Sequence, residues 1–192
     1  MNRTALACAL LLAHCTAFAQ KHPALAESQP IIIYLHGQII EDSGPTPTQP
    51  RWRFYDYPAV VEALGAKGAI VESEVRDSGA DVYEYARKTV SRIETLISEG
   101  VSPKRIIVVG FSKGGAITLF VSRLSQRPDI RYVTLAACSS WLDAYPRFQI
   151  SGQVFSIYEK MIATGKEHGA FYLPNPSWVE PLLDWIHDPV TY

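Results

Sequence analysis

Cysteine is scarce in this chain, with three in 192 residues. Two of them, Cys8 and Cys15, fall within the first nineteen residues, which leaves Cys138 alone in the remainder. One thiol closes no intrachain disulfide, and it excludes a structural zinc site built on thiolates. Long apolar runs are missing beyond the N-terminal region, where no segment approaches the roughly 18 uninterrupted apolar residues of a bilayer-spanning helix. Neither sign of charge is in excess. The 18 basic and 19 acidic side chains nearly cancel, which argues against a nucleic-acid partner, because such a partner demands a basic footprint. No internal repeat is visible. What the chain does have is 47% hydrophobic residues, so an apolar core must hold it together.

Residues 1–19 read as a signal peptide. Arg3 supplies a short basic region, Ala5 to Ala13 an apolar stretch too short to span a bilayer, and Ala17-Phe18-Ala19 the small-x-small pattern before a cleavage site. Cys15 does not turn this into a lipoprotein leader, because His14 stands where a small residue is required. Cleavage would leave Gln20 as the mature N-terminus and an exported, soluble protein, periplasmic or secreted. Taking 19 residues from 192 leaves 173, with 17 basic and 19 acidic side chains once Arg3 is gone. That length suits one domain over residues 20–192 and is too short for two comfortable ones.

From residue 31 onward, short β-branched runs alternate with helical patterns. Ile31 to Leu35, Ala69 to Val75, Arg105 to Val109, Tyr132 to Ala137 and Gln153 to Tyr158 read as strands buried on both faces. Tyr57 to Ala66 and Ala80 to Ser98 read as helices, the second with an apolar stripe of Val82, Ala86, Val90, Ile93 and Ile97. Ala116, Ile117, Phe120, Val121 and Leu124 mark a third, which Pro128 ends. Ser177-Trp178-Val179-Glu180 has a capping-box pattern, and Trp178, Leu182, Trp185 and Ile186 form a buried face before Pro189. Such alternation implies a doubly wound, mostly parallel α/β sheet. Gln38 to Phe54, with three prolines, reads as one long loop directly after the first strand, where the rim of an active site would lie.

Gly110-Phe111-Ser112-Lys113-Gly114 fits G-x-S-x-G, between the strand 105–109 and a helix opening near Lys113. That setting is the one a nucleophile elbow requires. The turn is so tight that side chains two positions either side of the serine would collide. The helix N-terminus beneath favours negative charge developing beside it. A serine hydroxyl needs a base to take its proton. His22 lies near the chain start and His187 at a helix end, whereas His168, in Glu167-His168-Gly169, follows the serine in a loop after the last strand.

On His36-Gly37 after the first strand, the elbow at 110–114 and His168-Gly169, the chain resembles the α/β-hydrolase superfamily. It is most similar in kind to small serine carboxylesterase-like members, over residues 31–187. The resemblance implies no cofactor or metal and the order serine, acid, histidine, while the short spacing before His168 departs from the family pattern and reads as fewer than the eight strands usual there. It implies an oxyanion hole from the backbone amides of Gln38 (or its neighbour Ile39) and Lys113, with His36 shaping the turn. Lys113 itself reads as a solvated first-turn residue whose backbone matters more than its amine. The acid falls on Glu159, just after the strand 153–158, with Asp143 as the alternative. Nine steps from Glu159 to His168 leave no room for a parallel crossover, so Met161 to Lys166 reads as a loop or short hairpin.

These residues imply a serine hydrolase cleaving a small-molecule ester through an acyl-serine intermediate. Peptidase or thioesterase chemistry on the same scaffold stays open. So does a catalytically silent binding protein that kept the fold and lost the acid. Arg51 to Tyr55 read as packing on a domain edge or lining an entrance. Phe171, Tyr172, Trp178 and Trp185 read as core beneath the last helix.

Overall fold

A computed structural model of the protein describes residues 29–137, 148–157 and 167–188. Residues 1–19, read from the sequence as a signal peptide, lie outside the described residues. Three isoleucines open β1 (Ile31–Leu35), whose five residues are all buried. Alternate side chains of a strand leave on opposite faces. Ile32 and Tyr34 therefore enter one apolar cluster, and Ile31, Ile33 and Leu35 enter the other. A strand apolar on both faces is stable only inside a covered sheet. Here β1 lies between β4 (Ile70–Ser73) and β5 (Ile106–Phe111), parallel to both. Next come β6 (Arg131–Leu135) and β7 (Gln153–Ile157), also parallel, in the order β4-β1-β5-β6-β7. Among the described residues this is a five-stranded, wholly parallel sheet, doubly wound and smaller than eight strands.

Helices cover both faces. On one side α2 (Tyr57–Leu64) and α5 (Pro176–His187) pack over Ile32, Tyr34, Ile107, Val109 and Val133. Facing Ile31, Ile33 and Val108 on the other side are α3 (Val82–Ser98) and α4 (Lys113–Ser125). The apolar stripe of α3 is rotated slightly from the sequence reading. Ala86, Thr89, Ile93 and Leu96 are buried, while Val82, Val90 and Ile97 pack at its margins. Trp178, Leu182 and Ile186 of α5 are buried as expected, as are Phe171 and Tyr172 before it. Helix α5 starts earlier than the capping-box pattern at Ser177 implied. Asn175, not Ser177, is the cap, and its Oδ1 accepts the Ser177 N–H at 2.9 Å. Pro176 takes the first helical position, where a missing N–H costs nothing.

The segment 38–54 is not a plain loop. It begins with a six-residue helix, α1 (Gln38–Ser43), and continues into a two-stranded antiparallel hairpin, β2 (Thr48–Gln49) with β3 (Arg53–Phe54). Three prolines and little hydrophobic periodicity concealed both. The hairpin turn is closed by Gln49, whose Oε1 accepts the N–H groups of Arg51 and Trp52 at 2.8 and 3.2 Å.

Candidate active site

At the junction of β5 and α4 the backbone of Ser112 has φ 53° and ψ −116°. A non-glycine residue there is strained, at about 1–3 kcal/mol, and persists only where its surroundings over-determine it. The Ser112 N–H donates to Leu135 O of β6, the neighbour of β5 on the side away from β1, at 2.9 Å, and Ser112 O accepts the Ala116 N–H at 3.1 Å. A Cβ on Gly110 would lie 2.1 Å from Gly114 O, and one on Gly114 would lie 1.9 Å from Leu35 O. Glycine at both places is a steric requirement, and together they let α4 approach the ends of β5 and β1. A Cβ on Gly37 would stand 3.0 Å from the Phe111 ring and 3.5 Å from Ser112 Cβ. The turn after β1 therefore abuts the serine, with Gln38 as the first residue of α1 and Lys113 as the first of α4. First-turn amides have no intrahelical acceptor.

His168 lies on a 3-10 turn, Glu167–Phe171, instead of an irregular loop. Its imidazole packs against Phe111, the residue before the serine, with ring centroids 4.9 Å apart, and against Trp52 of the hairpin at 5.1 Å. Gly169 makes that contact possible, since a Cβ there would lie 2.6 Å from Trp52 Cβ. Beneath them, Tyr55 stacks on Tyr172 at 4.6 Å and meets Phe111 edge-on at 5.9 Å. The Asp56 N–H donates to Tyr172 O at 2.9 Å. Aromatic packing thus ties the histidine turn, the hairpin and the elbow together. The 51–55 segment packs on the domain and also borders the histidine. Asp143 and Glu159, with residues 161–166, lie outside the described residues. His187 sits in the last turn of α5.

His36 is buried and structural. Burial first, then the neighbouring Arg76 guanidinium, push its pKa down to about 4. Its Nε2 accepts the Arg76 N–H at 3.0 Å, which leaves Nδ1 as the protonated nitrogen, 2.8 Å from Gly37 O. The Arg76 side chain in turn donates to His36 O. Lys113 corrects the sequence reading, because its amine is not solvated. Its Nζ lies 2.5 Å from Glu41 Oε2, and the other oxygen of that carboxylate receives Arg76 Nε at 2.7 Å. Neither Glu41 nor Arg76 was marked by the sequence, because both stand outside any motif and a buried ion pair leaves no periodic signal. Phe111 occupies the variable position of the elbow, so the motif gives no signal for its contact with His168.

Elsewhere, a cleft of about 280 Å³ opens beside β4 and α3, where Arg92 and Lys88 engage the carboxylates of Glu72 and Glu74. None of the candidate site residues lines it. Among the described residues no three His, Cys, Asp or Glu side chains converge as metal ligands do. No helix there is long and apolar enough to cross a membrane.

A family model described as phospholipase/carboxylesterase matches residues 69–170, which is more than half of the chain and contains both Ser112 and His168. The chain belongs to the phospholipase/carboxylesterase family. It is on that ground an α/β hydrolase. Similar solved structures include Arabidopsis thaliana SOBER1, at 14% identity over 81% of this chain and 99% of that one, with a TM-score of 0.40. Carboxyl esterase 2 from the mycorrhizal fungus Tuber melanosporum is 19% identical over 86% of this chain and 54% of its own, with a TM-score of 0.41. The α/β hydrolase GrgF from Penicillium sp. sh18 is 16% identical, and the match covers 58% of this chain and 38% of that one at a TM-score of 0.40. No curated protein matches the chain.

Proposed function

We propose that this member of the phospholipase/carboxylesterase family cleaves small-molecule esters through an acyl-serine intermediate. The observation that carries the reading is the backbone of Ser112, φ 53° and ψ −116° between β5 and α4. Strain of this kind is retained where it presents a group for reaction. In the first step Ser112 Oγ bonds to the ester carbonyl carbon and its proton passes to the imidazole of His168. The tetrahedral oxyanion is held by the amides of Gln38 and Lys113. Its collapse breaks the bond to the alcohol oxygen, which leaves with the proton from His168. Water then attacks the acyl-serine by the same route and releases the acid, so that no cofactor is consumed. Glu159 orients the imidazole, with Asp143 as the alternative. The leader at 1–19 makes the enzyme an exported one.

A fluorophosphonate probe and a panel of aryl esters test the reading. The wild-type protein is expected to label and to turn over, and Ser112→Ala to abolish labelling and lower turnover by about a thousandfold or more. Folded wild-type protein that neither labels nor turns over would make it a binding protein.

A further inference from the structure

The two amides assigned to the oxyanion stand on separate pieces of chain, and one of those pieces is weak. At six residues, α1 is far shorter than the roughly 12–15 needed for a helix to be even marginal by itself. Its cap, Gly37, contributes no side-chain hydrogen bond. Something outside α1 must therefore hold it. Ile40 does so on the core side, fully buried. Glu41 does so on the other. Its carboxylate is wholly buried and bridges two cations from two other elements. Arg76, from the segment between β4 and α3, is likewise wholly buried, and Lys113, the first residue of α4, is 16% exposed. The distances are 2.7 Å to Arg76 Nε and 2.5 Å to Lys113 Nζ.

We infer that Glu41 is a positioning residue that sets the spacing of the two halves of the oxyanion hole. The inference rests on the serine-hydrolase reading. Lys113 supplies one oxyanion donor from its backbone and, through its side chain, grips the helix that carries the other. Gln38 is three residues before Glu41, which is about one turn of the same helix. Any drift of α1 away from α4 must therefore stretch the Glu41–Lys113 pair. Arg76 closes the clamp from behind, since its side chain also donates to His36 O, one residue before Gly37. Two cations share one carboxylate beside a neutral His36, so the cluster also carries net positive charge next to the place where the oxyanion forms. Fixed charge and fixed donors of this kind act on the transition state more than on the bound ester.

Removing Glu41 would bury Arg76 without a counter-charge, so the deciding variants are made at Lys113, where the Glu41–Arg76 pair survives. Lys113→Met keeps the backbone amide and the side-chain length but loses the ion pair, and Lys113→Arg keeps a cation within reach. Steady-state turnover of one aryl ester is measured for both beside wild type and Ser112→Ala, with urea unfolding run in parallel. The expected result is a fall in kcat of about ten- to a hundredfold for Lys113→Met, the scale of a sub-ångström to 1 Å misplacement. KM should change less than about threefold, and most of kcat should return in Lys113→Arg. An unchanged kcat in Lys113→Met, or a loss that Lys113→Arg does not restore, overturns the inference while Ser112-dependent turnover of wild type keeps the hydrolase reading intact. Wild-type protein without Ser112-dependent turnover overturns both.

Discussion

Replacing Gly114 by alanine perturbs the elbow without touching any group assigned to the reaction. The added methyl would lie 1.9 Å from Leu35 O, 2.5 Å from Leu35 C and 2.7 Å from His36 O, where ordinary contact begins near 3.4 Å. All three are backbone atoms, so no rotamer change relieves the clash. Either α4 must lift or the end of β1 must retreat, by more than 1 Å in either case. An alanine in an unstrained helix would gain about 1 kcal/mol over glycine, and overpacking a core typically costs about 1–3 kcal/mol. Because only backbone can yield here, the net loss should reach about 3 kcal/mol, a large share of the stability of a small domain. The same shift carries Gly37 and Gln38 away from Ser112. Fluorophosphonate labelling should slow by about a hundredfold, the usual cost of a 1 Å misplacement. Urea unfolding followed by far-UV circular dichroism measures the first effect, and time-resolved labelling the second. Gly115→Ala is the milder control, because its methyl would meet Ala137 Cβ at 2.8 Å. If Gly114→Ala unfolds at the wild-type urea concentration and labels at the wild-type rate, the packing described for the elbow is wrong.

His36 is held neutral with a pKa near 4, against about 6.5 when unfolded, so the unfolded chain takes up its proton first as pH falls. Stability should be full above pH 6.5, decline toward pH 4 and level off below, by about 3 kcal/mol in all. Unfolding in urea at pH 8 and pH 4 should show that much less pH dependence in His36→Asn, and equal dependence in both proteins would sink the assignment. For the acid, Glu159→Gln should lower ester turnover strongly in folded protein while Asp143→Asn stays near wild type; the reverse pattern would move the acid to Asp143. For export, mass spectrometry of protein made with its leader in a secreting bacterial host should find Gln20 as the N-terminus. A soluble cytosolic chain beginning at Met1 would refute the leader.

The parallel sheet was legible because its central strands, β1 and β5, are short runs buried on both faces, and such runs have few other places to go, whereas β4 and most of β7, read in the same way, are only half-buried. Ile31 to Leu35 matched to the residue. The elbow was legible because its glycines are fixed by contacts under 3 Å, which leave a visible pattern in the residue types. Glu41 and Arg76 were not legible, since each acts through a partner far away in the chain. Arg76 lies 35 residues from Glu41, and Lys113 lies 72 from it. No local periodicity encodes a pairing of that kind. The α1 helix escaped notice for the related reason that tertiary contacts, not propensity, sustain it.

The place of β1 in the sheet has a consequence for how the chain reaches its fold. This strand is made first, yet it lies between two partners made later, with Ile31 pairing with Ile70 on one side and Ile106 on the other. Until both are available, the run Ile-Ile-Ile-Tyr-Leu has two open edges and two uncovered apolar faces. Pairing over such separations is slow compared with helix formation. The early chain is therefore prone to join other early chains, as any exposed β-branched segment of low charge is. Folding yield on dilution from urea should accordingly depend steeply on protein concentration. A charged substitution in β1 would ease that dependence only by destroying the centre of the sheet.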